Sequence, residues 1–220
     1  MKAIDWNPKD QARALLIGHD PRLQSSNTIA EYALFADYFF RPEPKGGPEL
    51  RKFGLAKSTF EQIIYLTNAL IKSGQVYVTN LCNDSLPPAP NKKTVFIPEK
   101  KARGGLTNIQ TILKNYPTIN YVFPMSLQVN YWLQKLNFYR SQDDFLEKTE
   151  PKKRGIENDR PFFEPGNSRT FMKICGNQYK VVNGRQIVIP ILHPKNFPLK
   201  GRFAGYNKCY QNVISYFNNL

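Results

Sequence analysis

ALLIGHDPRLQSS, residues 14–26, is the stretch on which the fold turns. An apolar run breaks at Gly18 and delivers His19 and Asp20 against Pro21. A short apolar run that ends on a glycine reads as a buried strand, and the polar residues 21–28 as the loop leaving it. Working outward, VYVTNL (76–81), INYVFPMS (119–126) and QIVIPILHP (186–194) carry the same strand signal. Between them lie helical patterns. Residues 58–72 place Phe60, Ile63, Ile64, Thr67, Leu70 and Ile71 at helical spacing, with Ser58 as N-cap and Glu61 three residues on. Residues 106–114 form a second helix closed by Asn115 and Pro117, 128–136 a third, and 203–220 an amphipathic closing helix. The alternation of strand and helix predicts an α/β protein, a three-layer α/β/α sandwich around a short, mostly parallel central sheet. From about residue 137 to 184 the pattern weakens into charged, proline- and glycine-bearing sequence such as EKTEPKKRGIENDRP, which reads as an insertion in one domain spanning 1–220.

Thirty-one Lys and Arg against 17 Asp and Glu give a formal net charge of +14, which points to a polyanionic partner. Three cysteines, Cys82, Cys175 and Cys209, lie far apart without a C-x-x-C pair and read as free thiols. With two histidines, His19 and His193, a metal site of several imidazoles cannot be built. The N-terminus lacks the apolar core of a signal peptide, and no stretch approaches the ~18 apolar residues of a membrane span. The expectation is a soluble, cytoplasmic monomer.

In a parallel sheet, strand ends of one sense lie along one edge, which would bring Asp20, Asn80 and His193 into a single cleft. An amide offers the donor and acceptor that a heterocyclic base presents on its Watson–Crick edge. An imidazole can donate to an oxygen that becomes negative, while a carboxylate orients water and stabilises a neighbouring cation. Asn83 and Asp84 compete with Asn80 for the amide role. The lysines Lys92 and Lys93 and the group Lys100, Lys101 and Arg103 read as a solvated face that could also touch phosphate.

These residues, in this order, resemble the uracil-DNA glycosylase superfamily. The family's Gly-Gln-Asp-Pro-Tyr-His motif is similar to Gly18-His19-Asp20-Pro21-Arg22-Leu23, and its Gly-Leu-x-Phe segment to Ala33-Leu34-Phe35. Its strand ending in a base-reading asparagine resembles VYVTN with Asn80, and LLWGSYAQ resembles YVFPMSLQVNYW. The final His-Pro-Ser-Pro-Leu motif resembles His193-Pro194-Lys195-Asn196-Phe197, followed by KGRFAGYNKCY. The resemblance implies a glycosylase fold and hydrolysis of an N-glycosidic bond in DNA, with Asp20 and His193 catalytic and no metal or cofactor needed. It implies a base pocket of Gly18, His19, Arg22, Phe35 and Asn80, with Phe35 stacking on the base. Pro194, Lys195, Asn196, Phe197 and Lys200 would meet DNA, Phe197 as the wedge that fills the emptied stack.

Arg22 stands where the family has the tyrosine that excludes thymine, His19 where it has glutamine, and Lys195-Asn196 where it has a phosphate-clamping Ser-Pro pair. The base therefore stays open. Tyr32, Tyr38, Phe39 and Phe40 compete with Phe35 as the stacking ring, and Asp20 before proline also fits a turn that caps backbone amides. Two other functions are consistent with the sequence: a catalytically silent nucleic-acid-binding module, and an N-glycosidic hydrolase of free nucleosides.

Overall fold

A computed structural model describes residues 5, 7–8, 11–19, 23–25, 28–29, 54–84, 86, 96–141, 144–154, 158–162, 167–194 and 201–220. In chain order the elements are β1 (Ala14–Gly18), β2 (Leu23–Ser25), β3 (Thr28–Ile29), α1 (Gly54–Leu66), β4 (Val76–Asn80), α2 (Glu99–Asn115), β5 (Tyr121–Pro124) and α3 (Leu127–Lys135). There follow α4 (Phe145–Lys148), β6 (Lys152–Arg154), β7 (Asn158–Phe162), α5 (Asn167–Ile174), β8 (Tyr179–Lys180), β9 (Ile187–Val188) and α6 (Asn207–Asn218), the last preceded by a 3-10 turn, Gly201–Tyr206.

The main sheet runs β4-β1-β5-β9-β8, parallel except for the antiparallel β8–β9 pair. β1 is flanked on both sides and every residue of it is buried, which is why its sequence is continuously apolar rather than alternating. Register fixes what each face meets. Leu15 pairs with Tyr77 and with Val122, so these three share a face, and Val76, Ala14 and Tyr121 share the other. The Tyr77 ring meets Tyr116 at the end of α2, while Tyr121 and Phe123 stack on Phe217 of α6. Helices thus cover opposite faces, an arrangement compatible with three α/β/α layers.

The helices follow their apolar spacing. Ala102, Leu106, Ile109 and Ile112 of α2, and Tyr210, Val213 and Phe217 of α6, are the buried stripes. α1 departs from the expected 58–72. It begins at Gly54, so Ser58 lies inside the helix rather than capping it, and it ends at Leu66. Asn68 and Ala69 adopt φ of 46° and 60°, a left-handed turn that closes the helix and exposes Leu70 while burying Ile71. α2 starts at Glu99, seven residues before the expected start at 106, because its glycines are not breakers: Gly105 sits where a Cβ would overlap the Leu81 carbonyl oxygen. β9 is shorter than the expected 186–194, since Pro190 has no N–H for the ladder. Even so, Ile189 and Ile191 still donate to Val122 and Pro124 at 2.8 and 3.1 Å. The 137–184 stretch contains α4, the β6–β7 hairpin, α5 and β8, and β8 joins the main sheet.

Candidate functional site

Four parallel strands end side by side. Beyond β1 and β4 the ladder continues, with Leu81 N–H donating to Gly18 O at 2.8 Å and Cys82 N–H to His19 O at 3.0 Å. On the other side Met125 N–H donates to Ile17 O at 2.9 Å, and Ser126 N–H to Ile191 O at 3.1 Å. Asn80, His19, Ser126 and the Leu192–His193 segment therefore line one edge. At about 4.8 Å per strand, the segments carrying His19 and His193 lie roughly 10 Å apart.

The crossovers open that edge. From β1 the chain passes to β4 on one side, returns across β1 to β5 on the other, and continues to β9. Connections leaving β1 and β5 diverge, and at such a switch point an open α/β sheet has its ligand crevice.

Asn80 is the most informative side chain here. It is 1% exposed, and among the described residues neither its Oδ1 nor its Nδ2 has a hydrogen-bond partner. A buried amide left unmade costs about 1–3 kcal/mol, so such groups are rare and want a ligand. Strand alternation puts it on the α1–α6 face, away from Tyr77 and Thr79. The competing residues are occupied. Asn83 accepts from Asn80 N–H at 3.3 Å and donates to Asp5 Oδ1 at 2.8 Å, while Asp84 pairs with Lys101. Of the three, Asn80 alone has a side chain without a partner among the described residues.

His19 is 9% exposed at the end of β1, with its carbonyl in the ladder to Cys82. Gly18 pairs with Asn80 across the β1–β4 register. His193 is half-buried and Pro194 buried. The residue before His193 is tied down strongly: Gln62 of α1 donates from Nε2 to the Leu192 carbonyl at 3.2 Å and also to the Tyr210 hydroxyl of α6. Burial pushes the Tyr210 phenol well above its ordinary range, so it stays a neutral strut. Asp20, Arg22, Phe35, Lys195, Asn196, Phe197 and Lys200 lie outside the described residues, as do Lys92 and Lys93. Of the second basic group, Lys101 pairs with Asp84 and Arg103 with Glu99, so each has an acidic partner within the fold.

The sequence reading missed several residues. Ser126 holds φ 79° and ψ 158° between β5 and α3, its buried Oγ has no partner among the described residues, and Asn130 Nδ2 donates to its carbonyl at 2.7 Å and to that of Pro124 at 3.2 Å. An off-region non-glycine backbone at a strand end is strained by roughly 1–3 kcal/mol; a serine opening a helix reads from sequence only as a cap. Asp5 gathers Thr79 (2.8 Å), Asn83 (2.8 Å), Asn108 (3.3 Å) and Tyr77 (3.4 Å). No periodicity announces it. Burial first, then Asp5, pushes the Tyr77 phenol upward, so the cluster fastens the N-terminal segment to β4 and leaves its donors spent.

A cavity of about 520 Å³ lies elsewhere, at the far end of α3, lined by Gln134, Lys135, Tyr139, Arg140, Ser141 and Asp144. Its lining mixes charge signs, and Gln134 is already bonded to Tyr139 and Ser141. The strand edge, with its unpartnered amide, is the better site. Among the described residues no group of His, Cys, Asp and Glu is placed to hold a metal ion, and no helix is long and apolar enough to cross a membrane. No protein-family model matches the chain, and no curated protein matches it.

Proposed function

We propose that the chain is a DNA glycosylase-like hydrolase, built as the three-layer α/β/α sandwich of the uracil-DNA glycosylase superfamily and acting on DNA inside the cell. The carrying observation is the buried, unpartnered amide of Asn80 at the switch-point edge of a parallel sheet, on the same edge as the chain segments that lead to Asp20 and His193. A ligand with an adjacent donor and acceptor satisfies that amide, and a nucleobase edge is such a ligand.

In this reading a nucleotide rotates out of the stack, at a cost of a few kcal/mol when paired, and Asn80 reads the base while Phe35 stacks on it. As the N-glycosidic bond breaks, the base leaves with the bonding electrons. His193 donates to the base oxygen that gains negative charge. Ionised Asp20 stabilises the sugar cation and aligns the water whose oxygen forms the new bond at C1′. His19, with its carbonyl held by Cys82, fixes the direction in which the chain leaves β1 toward Asp20, and the Gln62–Tyr210 clamp on Leu192 does the same for His193. Arg22 lies beside the base, Phe197 fills the gap in the duplex, and Pro194, Lys195, Asn196 and Lys200 follow the backbone, a role suited to a chain of net charge +14.

The test is a panel of oligonucleotides carrying different modified bases, assayed for abasic sites with wild type and Asp20→Asn. Base release that the substitution abolishes supports the proposal. DNA binding without release from any member supports a silent binding module, and turnover of free nucleosides that is indifferent to salt supports a nucleoside hydrolase.

A further inference from the structure

Behind the His193 strand end lies a group the proposed chemistry does not use. Cys175 immediately follows α5 and is 1% exposed; Cys209 lies in the first turn of α6 and is partly exposed. Their thiols lie side by side, close enough that each shifts the other's acidity, and the Cys209 thiol donates to the Met172 carbonyl at 3.5 Å. The backbones touch here: Gly176 has φ +79°, and a Cβ on it would overlap the Cys209 carbonyl oxygen, so the turn after α5 packs directly on the first turn of α6. The remaining cysteine, Cys82, sits at the end of β4.

We propose that Cys175 and Cys209 form a thiol–disulfide site that takes low-molecular-weight disulfides as its oxidant and reports its state to the His193 end of the sheet. Cys209 is the attacking sulfur. The hydrogen bond from Cys175 first of all, opposed by desolvation, brings its thiol down to about 7, and a thiolate at neutral pH is the nucleophile. Burial holds the Cys175 thiol up, so it resolves rather than attacks. Cys209 sulfur displaces one thiolate from R–S–S–R to give a mixed disulfide. Cys175 then gives up its proton and attacks the Cys209 sulfur, forming the Cys175–Cys209 bond and expelling the second thiolate. Two electrons and two protons pass from the protein to two R–SH, so the exchange balances.

The link to the strand end is direct. Gly176 N–H, next to Cys175, donates to Pro190 O at 2.8 Å, and Gln62 donates both to the Leu192 carbonyl and to the Tyr210 hydroxyl, one residue after Cys209. A bond that draws the Cys175 and Cys209 sulfurs from non-bonded contact to about 2.05 Å shifts the seam on which Leu192 rests, one residue before His193.

The full chain is equilibrated with oxidised and reduced glutathione, quenched with acid, unfolded, alkylated and peptide-mapped. The expected result is loss of two of the three titratable thiols, recovery of a Cys175–Cys209 linked peptide that dithiothreitol cleaves, and Cys82 alkylated throughout. Cys209→Ser should take up no glutathione, and the wild-type map decides the question even where that variant folds poorly. With two histidines in the chain, ring C–H NMR signals separate the sites: oxidation should move His193 and leave His19. Three thiols recovered at every ratio, or glutathione held on Cys209 without the internal link, overturns the site. A formed link with an unmoved His193 signal overturns its transmission. None of these readouts depends on base release.

Discussion

Replacing Asn80 by Leu separates stability from function at one residue. Leu keeps the branching and heavy-atom count of Asn and removes the two polar atoms that are buried without partners. Removing an unpaired buried amide relieves about 1–3 kcal/mol. For a chain of this size each kcal/mol moves Tm by about 2–4 °C, so Asn80→Leu should melt roughly 2–12 °C above wild type. Base release should fall in the same protein by about 10²-fold, the loss of two hydrogen bonds near 1.4 kcal/mol each in the transition state. Calorimetry and the abasic-site assay, run on one preparation, give both numbers. A lower Tm for Asn80→Leu would refute the reasoning, because it would mean that the amide is already satisfied in the free protein and has no ligand to wait for.

The glycines of α2 offer a matched pair. Gly105→Ala should destabilise by about 1–3 kcal/mol in urea unfolding, since its Cβ meets the Leu81 backbone, whereas Gly104→Ala, with nothing within 4 Å, should stabilise by about 0.5–1 kcal/mol. Asp20→Asn and His193→Gln should each lower base release by about 10²–10⁴-fold while leaving DNA affinity near wild type. Affinity itself should fall steeply and log-linearly with salt, as phosphate contact by a basic protein requires. Alkylation of Cys209 should rise as pH climbs through about 7, its folded thiol being depressed. The linked stability term has the matching sign: it is full above the unfolded thiol's range and lost as pH falls through about 7. A midpoint at the ordinary thiol value would contradict the Cys175 hydrogen bond.

What the sequence carried best was the sheet. ALLIG, VYVTN and YVFP are dense apolar or β-branched runs because parallel strands are covered on both faces, and their order with the intervening helices leaves few topologies. Helix ends were less legible. The closure at Asn68 and Ala69 depends on left-handed backbone that neither residue type advertises strongly, and Gly104-Gly105 reads as a breaker until the approach of Leu81 is visible. At the site, Asn80 was readable as a strand-end amide, but its choice over Asn83 and Asp84 required their partners, Asp5 and Lys101, which are distant in sequence. The Gln62–Tyr210–Leu192 clamp and the Cys175–Cys209 contact join residues far apart in the chain, and no local pattern encodes such meetings.

Incubation of the full chain with a single-stranded oligonucleotide carrying uracil, and with the same strand carrying other altered bases, tests the central claim most directly. The account predicts abasic sites from at least one member of the set, abolished by Asp20→Asn and strongly reduced by Asn80→Leu despite its higher Tm. Wild type that releases no base from any strand, or releases it equally well without the Asn80 amide, would contradict it.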